Sequence, residues 1–217
     1  MKKLIQLGML SALVCVSAQA TTVTWSTPTS STNSITGTGS GSDSIAATGY
    51  VLFNGNYSQF SVQSDPNGVG VDSSNGGVLT QGQNSSTVDG QYAEYVVFNF
   101  SNTLTGNVAV SSIVMNFTGS ATSPYFRYAW SATAPTTQIS DNSFTQVTST
   151  STNSTSNPYT FSALAGSGRY LVINPISPNS LQVSSITYAS VPDGASTLAL
   201  MGAALATLGF AGRRRKA

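Results

Sequence analysis

The strongest constraint on the fold is an alternation of apolar and polar residues with a period of two. Apolar or aromatic residues recur at every second position in residues 113–117 and 126–130, and again with one offset in residues 181–188. Successive side chains of a β-strand point to opposite faces, so this period gives each segment one apolar face. β-Branched and aromatic residues, which favour strands, fill most of these positions. The pattern predicts half-buried β-strands.

The segments between these strands carry turn sequences, and no stretch of residues 21–190 has an apolar stripe with helical spacing. The turn sequences are Asn54-Gly55-Asn56, Pro66-Asn67-Gly68, Asn75-Gly76-Gly77, Asp89-Gly90 and the Ser/Thr/Asn tract at 149–157. Many short strands separated by such turns are typical of sandwiches and barrels. We therefore predict an all-β fold, a single antiparallel β-sandwich of the jelly-roll type, over residues 21–190.

The amino-terminal end has the three parts of a secretory signal peptide. A basic start of two lysines precedes an apolar run over residues 4–16 and a small-x-small exit at residues 18–20. Cys15 would suggest a lipoprotein, but the bulky Val14 before it does not fit that pattern well. We expect residues 1–20 to direct export through the Sec translocon and to be removed.

The carboxyl-terminal end combines a charge-free apolar segment with a basic cluster. Residues 195–212 carry no charge, and as a helix they would extend roughly 27 Å, close to the thickness of the hydrocarbon core of a bilayer. Four consecutive cations follow at residues 213–216 and would stay on the cytoplasmic side. A helix of a soluble core would not normally end in such a cluster. We predict a transmembrane helix over residues 195–212, with residues 21–190 outside the cell.

Residues 191–217 resemble a PEP-CTERM sorting tail, in which a short motif, an apolar helix and a basic cluster follow one another in this order. The motif resembles the Val-Pro-Asp variant and comprises Val191, Pro192, Asp193 and Gly194. Gly194 and Ala195 stand where the commonest variant has proline or serine, which leaves the identity of the processing enzyme open. The resemblance covers the tail alone.

This resemblance implies that an exosortase, a membrane-embedded cysteine protease, recognises and processes the tail. Pro192 and Asp193 would be recognised, and Arg213, Arg214 and Arg215 would retain the tail until processing. The protein would be anchored in the membrane transiently by its helix and would then reach the cell surface or the extracellular matrix of a biofilm.

The residue content excludes most catalytic machinery. The chain has no histidine, and residues 21–190 contain neither cysteine nor lysine. Triads and dyads that use these residues are impossible, as are zinc sites with thiolate or imidazole ligands. The same stretch has six carboxylates against two arginines, so it lacks the clustered cations that nucleic-acid binding needs. We expect a protein that is not an enzyme and that binds no nucleic acid.

Paired carboxylates, as in glycosidases, are the catalytic chemistry that remains. They would require two of Asp65, Asp72, Asp89 and Glu94 to lie about 5–9.5 Å apart in a cleft. Isolated acids in loops rich in glycine and asparagine more often shape turns. A glycosidase is therefore the least favoured of the hypotheses.

A group of Asp and Asn residues offers oxygen ligands for a cation such as Ca²⁺. The candidates are Asp65, Asn67, Asp72 and Asp89. Their spacing does not match an EF-hand, because an apolar residue stands where a third ligand should be. We expect no cofactor, and calcium binding is the alternative to the turn-forming role of these residues.

An aromatic stripe at Phe126, Tyr128 and Trp130 shares one face of a predicted strand. Tyr128 and Trp130 are candidate carbohydrate contacts, since their flat faces can stack on sugar rings. Arg127 lies on the opposite face, which favours the interpretation that the stripe packs in the core. Core packing is the preferred interpretation and sugar binding the alternative.

Together these features predict an exported cell-surface or extracellular-matrix protein with a structural or adhesive role. The alternative is a secreted carbohydrate-binding module, with or without calcium. The expected partners are the translocon, the processing protease and extracellular polysaccharide.

Overall fold

The computed structural model describes most of the chain between residues 19 and 191. The described residues are 19–39, 44–53, 56–72, 88–89, 94–101, 106–118, 125–148, 157–176, 180–191 and 202. Side chains are described for all of these except Ser31, Phe53, Asp72, Val88, Asp89 and Thr118. The predicted signal peptide over residues 1–20 and the predicted tail helix over residues 195–212 therefore lie almost wholly outside the described residues.

Among the described residues, fourteen β-strands form one antiparallel sheet, which confirms the prediction of an all-β fold. The first seven strands are β1 (Thr21–Thr24), β2 (Thr29–Thr32), β3 (Ile35–Gly39), β4 (Ser44–Phe53), β5 (Asn56–Asp65), β6 (Gly68–Asp72) and β7 (Val88–Asp89). The other seven are β8 (Glu94–Asn99), β9 (Val108–Thr118), β10 (Phe126–Ser131), β11 (Thr145–Val147), β12 (Tyr159–Ser162), β13 (Tyr170–Pro175) and β14 (Ser180–Ser190). A 3₁₀ turn, Asp141–Ser143, precedes β11.

The order of the strands in the sheet differs strongly from their order in the chain. The main path runs β11-β10-β13-β8-β4-β3-β1-β14-β6-β5-β2. An additional pairing of β4 with β5 closes a circuit through β4, β3, β1, β14, β6 and β5. Strand β14 also pairs with β7 and with β9, and β9 pairs with β12. Four strands are thus joined to β14, which makes it the most connected strand among the described residues.

The main core receives apolar side chains from most of the strands. Its largest fully buried residues include Phe98, Phe126, Phe161 and Tyr188. The rings of Phe126 and Phe161 meet edge to face, with centroids 4.8 Å apart. Such aromatic contacts add to the free energy gained by burying apolar surface.

Strand β8 is buried on both faces. Val96 and Phe98 belong to the main core, whereas Tyr95 and Val97 belong to a second cluster. Because neighbouring residues of a strand point to opposite sides, the second cluster lies on the other face of the sheet, which we call the outer face. This double burial explains why apolar residues occupy consecutive positions in this part of the sequence.

The second cluster is covered by residues 132–144, the connection between β10 and β11, which we call the covering loop. Ile139 and Phe144 of this loop pack against the cluster. A bridge between Asn56 and Thr137 ties the loop to β5. The covering loop therefore shields part of the outer face.

Residues Gln19–Val191 form one compact unit, which contains all fourteen strands. A second unit comprises Met1–Ala18 and Pro192–Ala217. In the part of the chain that the structure describes, no helix has the length and apolar character needed to cross a membrane.

Candidate functional site

Asp65 and Asn67, two of the predicted cation ligands, lie together at the turn between β5 and β6. Asp65 Oδ1 accepts a hydrogen bond from the backbone N–H of Asn67 at 2.7 Å. Asp65 Oδ2 accepts another from Gln182 Nε2 at 2.8 Å. The carbonyl oxygen of Asn67 accepts from Asn116 Nδ2 at 2.6 Å and from the Ser184 hydroxyl. These bonds hold the turn against β9 and β14.

The other two predicted ligands, Asp72 and Asp89, are described by their backbones. Asp72 ends β6 opposite Ser61, and Asp89 lies in β7 opposite Ser180 at the start of β14. Among the described residues, no three His, Cys, Asp or Glu side chains come together as a metal site would require.

The predicted carbohydrate contacts Tyr128 and Trp130 point to the main core. Tyr128 has 2% of its surface exposed, and its hydroxyl donates to the carbonyl of Ala165 at 3.1 Å. Trp130 is partly buried and donates from Nε1 to the same carbonyl at 3.0 Å. Both polar groups therefore attach the loop after β12 to β10.

Glu94, one of the four acids considered for paired-acid chemistry, is 2% exposed at the start of β8. It shares the core side of β8 with Val96 and Phe98 because the three alternate along the strand. The backbone carbonyl oxygen of Glu94 accepts a hydrogen bond from Asn174 Nδ2 at 2.7 Å.

The predicted sorting motif begins at the last residue of the large unit. Val191 donates its backbone N–H to the carbonyl of Asn107 at 2.9 Å. Pro192, Asp193 and Gly194 lie outside the described residues, as do Arg213, Arg214 and Arg215.

Three polar side chains lie in a row across the outer face, on β11, β10 and β13 at one end of the strand order. Arg127 of β10 is opposite Gln146 of β11 on one side and Asn174 of β13 on the other. Residues directly opposite each other in paired strands point to the same face and are close neighbours. Since Phe126 and Tyr128 point to the main core, this row points away from it.

Arg127 is held from several directions. Its Nε donates to Asn174 Oδ1 at 2.8 Å, and its Nη1 forms a salt bridge with Asp141 Oδ1 at 2.8 Å. Its Nη2 donates to the Tyr95 hydroxyl at 3.3 Å. The guanidinium carbon lies 4.7 Å from the centre of the Phe144 ring, a distance typical of a cation–π contact. The guanidinium is therefore fixed in position on the sheet.

Aromatic rings continue from this arginine across the outer face. Phe144 lies 6.1 Å from Tyr95 between ring centres, Tyr95 lies 5.0 Å from Tyr57, and Tyr57 lies 6.0 Å from Tyr50. Burial raises the pKa of Tyr57 to about 12 and also raises the pKa of Tyr95, which Arg127 partly offsets. These phenols are neutral at physiological pH and serve as packing and hydrogen-bonding groups.

A groove of about 360 Å³ opens beside Arg127. Its polar walls are Arg127, Asp141, Gln146 and Asn174, and its apolar walls are Phe144, Pro175 and Ile176. Asn174 is only 3% exposed, whereas the Asp141 side chain is 68% exposed and Gln146 is exposed. The groove thus combines fixed hydrogen-bonding groups with apolar surface, an arrangement suited to binding a polar organic ligand.

Sequence reasoning placed Arg127 on the face opposite the aromatic stripe but did not identify this groove. Asn174 and Asp141 are separated from Arg127 by 47 and 14 positions, and only strand pairing and the covering loop bring them to it. The available signal was the lone cation in the middle of an apolar strand, since such a charge needs nearby partners when it is partly buried.

No family model, curated protein or solved structure matches this chain.

Proposed function

We propose that this protein is exported, is carried to the cell surface or extracellular matrix by its carboxyl-terminal tail, and acts there as a structural or adhesive component. The observation that carries the proposal is the succession of a Val-Pro-Asp-Gly motif, a charge-free apolar segment and a basic cluster in residues 191–216. A signal-peptide pattern at the opposite end of the chain supports the same route. The tail would be processed by an exosortase.

The proposed exported body is the all-β region over residues 21–190, which we interpret as a β-sandwich of the jelly-roll type. Support comes from a sheet that carries apolar clusters on both faces and from pairings that join strands distant in sequence, as β1 with β14. The predicted helix over residues 195–212 would hold the motif next to the membrane. No enzymatic activity is proposed for this body.

Removing the basic cluster tests the sorting proposal. In the native host, wild-type protein should be found at the cell surface or in the culture fluid without its tail. A variant with Arg213, Arg214 and Arg215 replaced by alanine should be unprocessed or mislocalised, because the cations that retain the tail are gone. Replacement of Ser196 by alanine, which changes the tail without changing its charge, is the matched control. Equal distribution of the wild type and the arginine variant would contradict the proposal.

A secreted carbohydrate-binding module is the second candidate, and the groove beside Arg127 is the observation that favours it. Hydrogen-bonding side chains next to apolar surface are the usual composition of small-ligand sites. Isothermal titration of the protein with extracellular polysaccharides, with and without a chelator, separates this candidate from a purely structural role and tests its dependence on calcium. Absence of binding in both conditions would exclude it.

A further inference from the structure

We propose that the groove beside Arg127 is a binding site for uncharged sugar units of a polysaccharide. The inference rests on the second candidate function, carbohydrate binding, and assigns it to the outer face of the sheet. It is independent of the sorting tail.

The arginine is positioned before any ligand arrives. Its contacts with Asn174, Asp141 and Tyr95 use three of the five N–H groups of a guanidinium, counted over the described residues. The Phe144 ring packs against the group, with the guanidinium carbon 4.7 Å from the ring centre. A ligand that binds here therefore need not immobilise a flexible cation, which lowers the cost of binding.

The salt bridge between Arg127 and Asp141 affects which ligand charge the groove accepts. Asp141 Oδ1 accepts from Arg127, and the carboxylate remains largely exposed at the edge of the groove. A sugar hydroxyl can accept a hydrogen bond from the arginine and donate one to the aspartate, since a hydroxyl does both. An acidic sugar would meet the Asp141 carboxylate beside an arginine whose charge is already paired, and like charges repel. The groove therefore favours neutral sugars.

The remaining walls fit the same ligand class. Gln146 offers an exposed amide, which both donates and accepts, directly across from Arg127. Ile176, which is partly exposed, adds apolar surface against which the C–H groups of a sugar ring can pack. The volume of about 360 Å³ lies within the range of roughly 300–1,000 Å³ that small-ligand sites occupy.

Titration of the mature protein with polysaccharides tests the inference. The polymers are neutral, dextran and galactomannan, or acidic, polygalacturonate. Binding to a neutral polymer should weaken about tenfold in Asp141→Ala and in Gln146→Ala, because each loses a hydrogen bond to the ligand. Asn142→Ala, in the same turn as Asp141 but outside the groove, is the matched control and should bind as the wild type does. Circular dichroism should be the same for all four proteins.

Two sets of results would overturn the inference. In the first, none of the three polymers binds, which would also count against the carbohydrate-binding candidate and leave the sorting proposal unaffected. In the second, a polymer binds but both groove variants keep the wild-type affinity, or polygalacturonate binds at least as tightly as the neutral polymers. Carbohydrate binding would then stand. Unchanged affinity of the two variants would exclude this groove, and tight binding of polygalacturonate would exclude the preference for neutral sugars.

Discussion

Gly68 and Tyr57 illustrate how single residues are constrained by their surroundings. Gly68 begins β6 with a φ of 139°, a conformation that residues with a side chain rarely adopt. A Cβ at this position would lie 2.5 Å from the carbonyl oxygen of Val183. Tyr57 is 9% exposed, and its hydroxyl accepts a hydrogen bond from the Ile139 N–H at 3.4 Å.

Replacement of Gly68 by alanine should destabilise the protein by roughly 1–3 kcal/mol, the range observed for backbone strain at such positions. The reason is that either the backbone of Gly68 or that of β14 must move to relieve the contact with Val183. Urea unfolding measures the change. Ser58→Ala, at an exposed position of β5, is the control and should leave the unfolding free energy within about 0.5 kcal/mol of the wild type. A Gly68 variant as stable as this control would contradict the expectation.

Tyr57 should make stability fall at high pH. Burial is the main cause that raises its pKa from 10.0 to about 12, so the folded state holds the phenolic proton more tightly than the unfolded state does. The contribution to stability is complete below pH 10 and is lost as the pH rises from 10 to about 12.

Unfolding free energies of the wild type and Tyr57→Phe, measured from pH 9 to pH 12, test this dependence. The variant should lose less stability over this interval than the wild type. Ser58→Ala, at an exposed position of β5, removes no titrating group and should follow the pH dependence of the wild type. Parallel curves for the wild type and Tyr57→Phe would show that burial of this phenol does not contribute.

Single elements show which features the sequence predicts and which it does not. The offset in the apolar alternation of residues 181–188 coincides with a register shift of β14 against β9 between Val183 and Ser185. Such a bulge inserts an extra residue and reverses the facing of the residues that follow. The covering loop is different, since its Ile139 and Phe144 have no periodic pattern and are partly buried only because they meet the outer face.

Arg127 should contribute more to the stability of the protein than its salt-bridge partner does. Replacing Arg127 by methionine removes the donors to the buried Asn174 amide and to Tyr95, and we expect a loss of roughly 2–3 kcal/mol. Replacing Asp141 by asparagine removes only an exposed ion pair, for which we expect less than about 1 kcal/mol.

A double-mutant cycle with these two substitutions, measured by urea unfolding, gives both values and their coupling. Equal losses in the two single variants would mean that the salt bridge accounts for the whole contribution of Arg127, which would contradict this expectation. The cycle also controls for the binding experiment, because it shows whether Asp141 variants keep the fold.

At the scale of the whole molecule, the alternation of residues and the turn sequences are sufficient to predict an all-β chain but not its topology. The pairing of Thr21 with Tyr188 joins the first strand to the last, and nothing in either segment specifies that partner. The groove depends on the same long-range pairings, because Arg127, Gln146 and Asn174 become neighbours only in the assembled sheet. The turn at Asp65 and Asn67 could be predicted because it forms within a few residues.

The proposal that the tail is a sorting signal is tested most directly by the intact mass of the protein recovered from the surface and culture fluid of its native host. We expect a chain that begins at Thr21, after removal of the signal peptide, and ends near Pro192 or Asp193. A chain that retains all residues through Ala217 would contradict it and would leave the apolar segment as a plain membrane anchor.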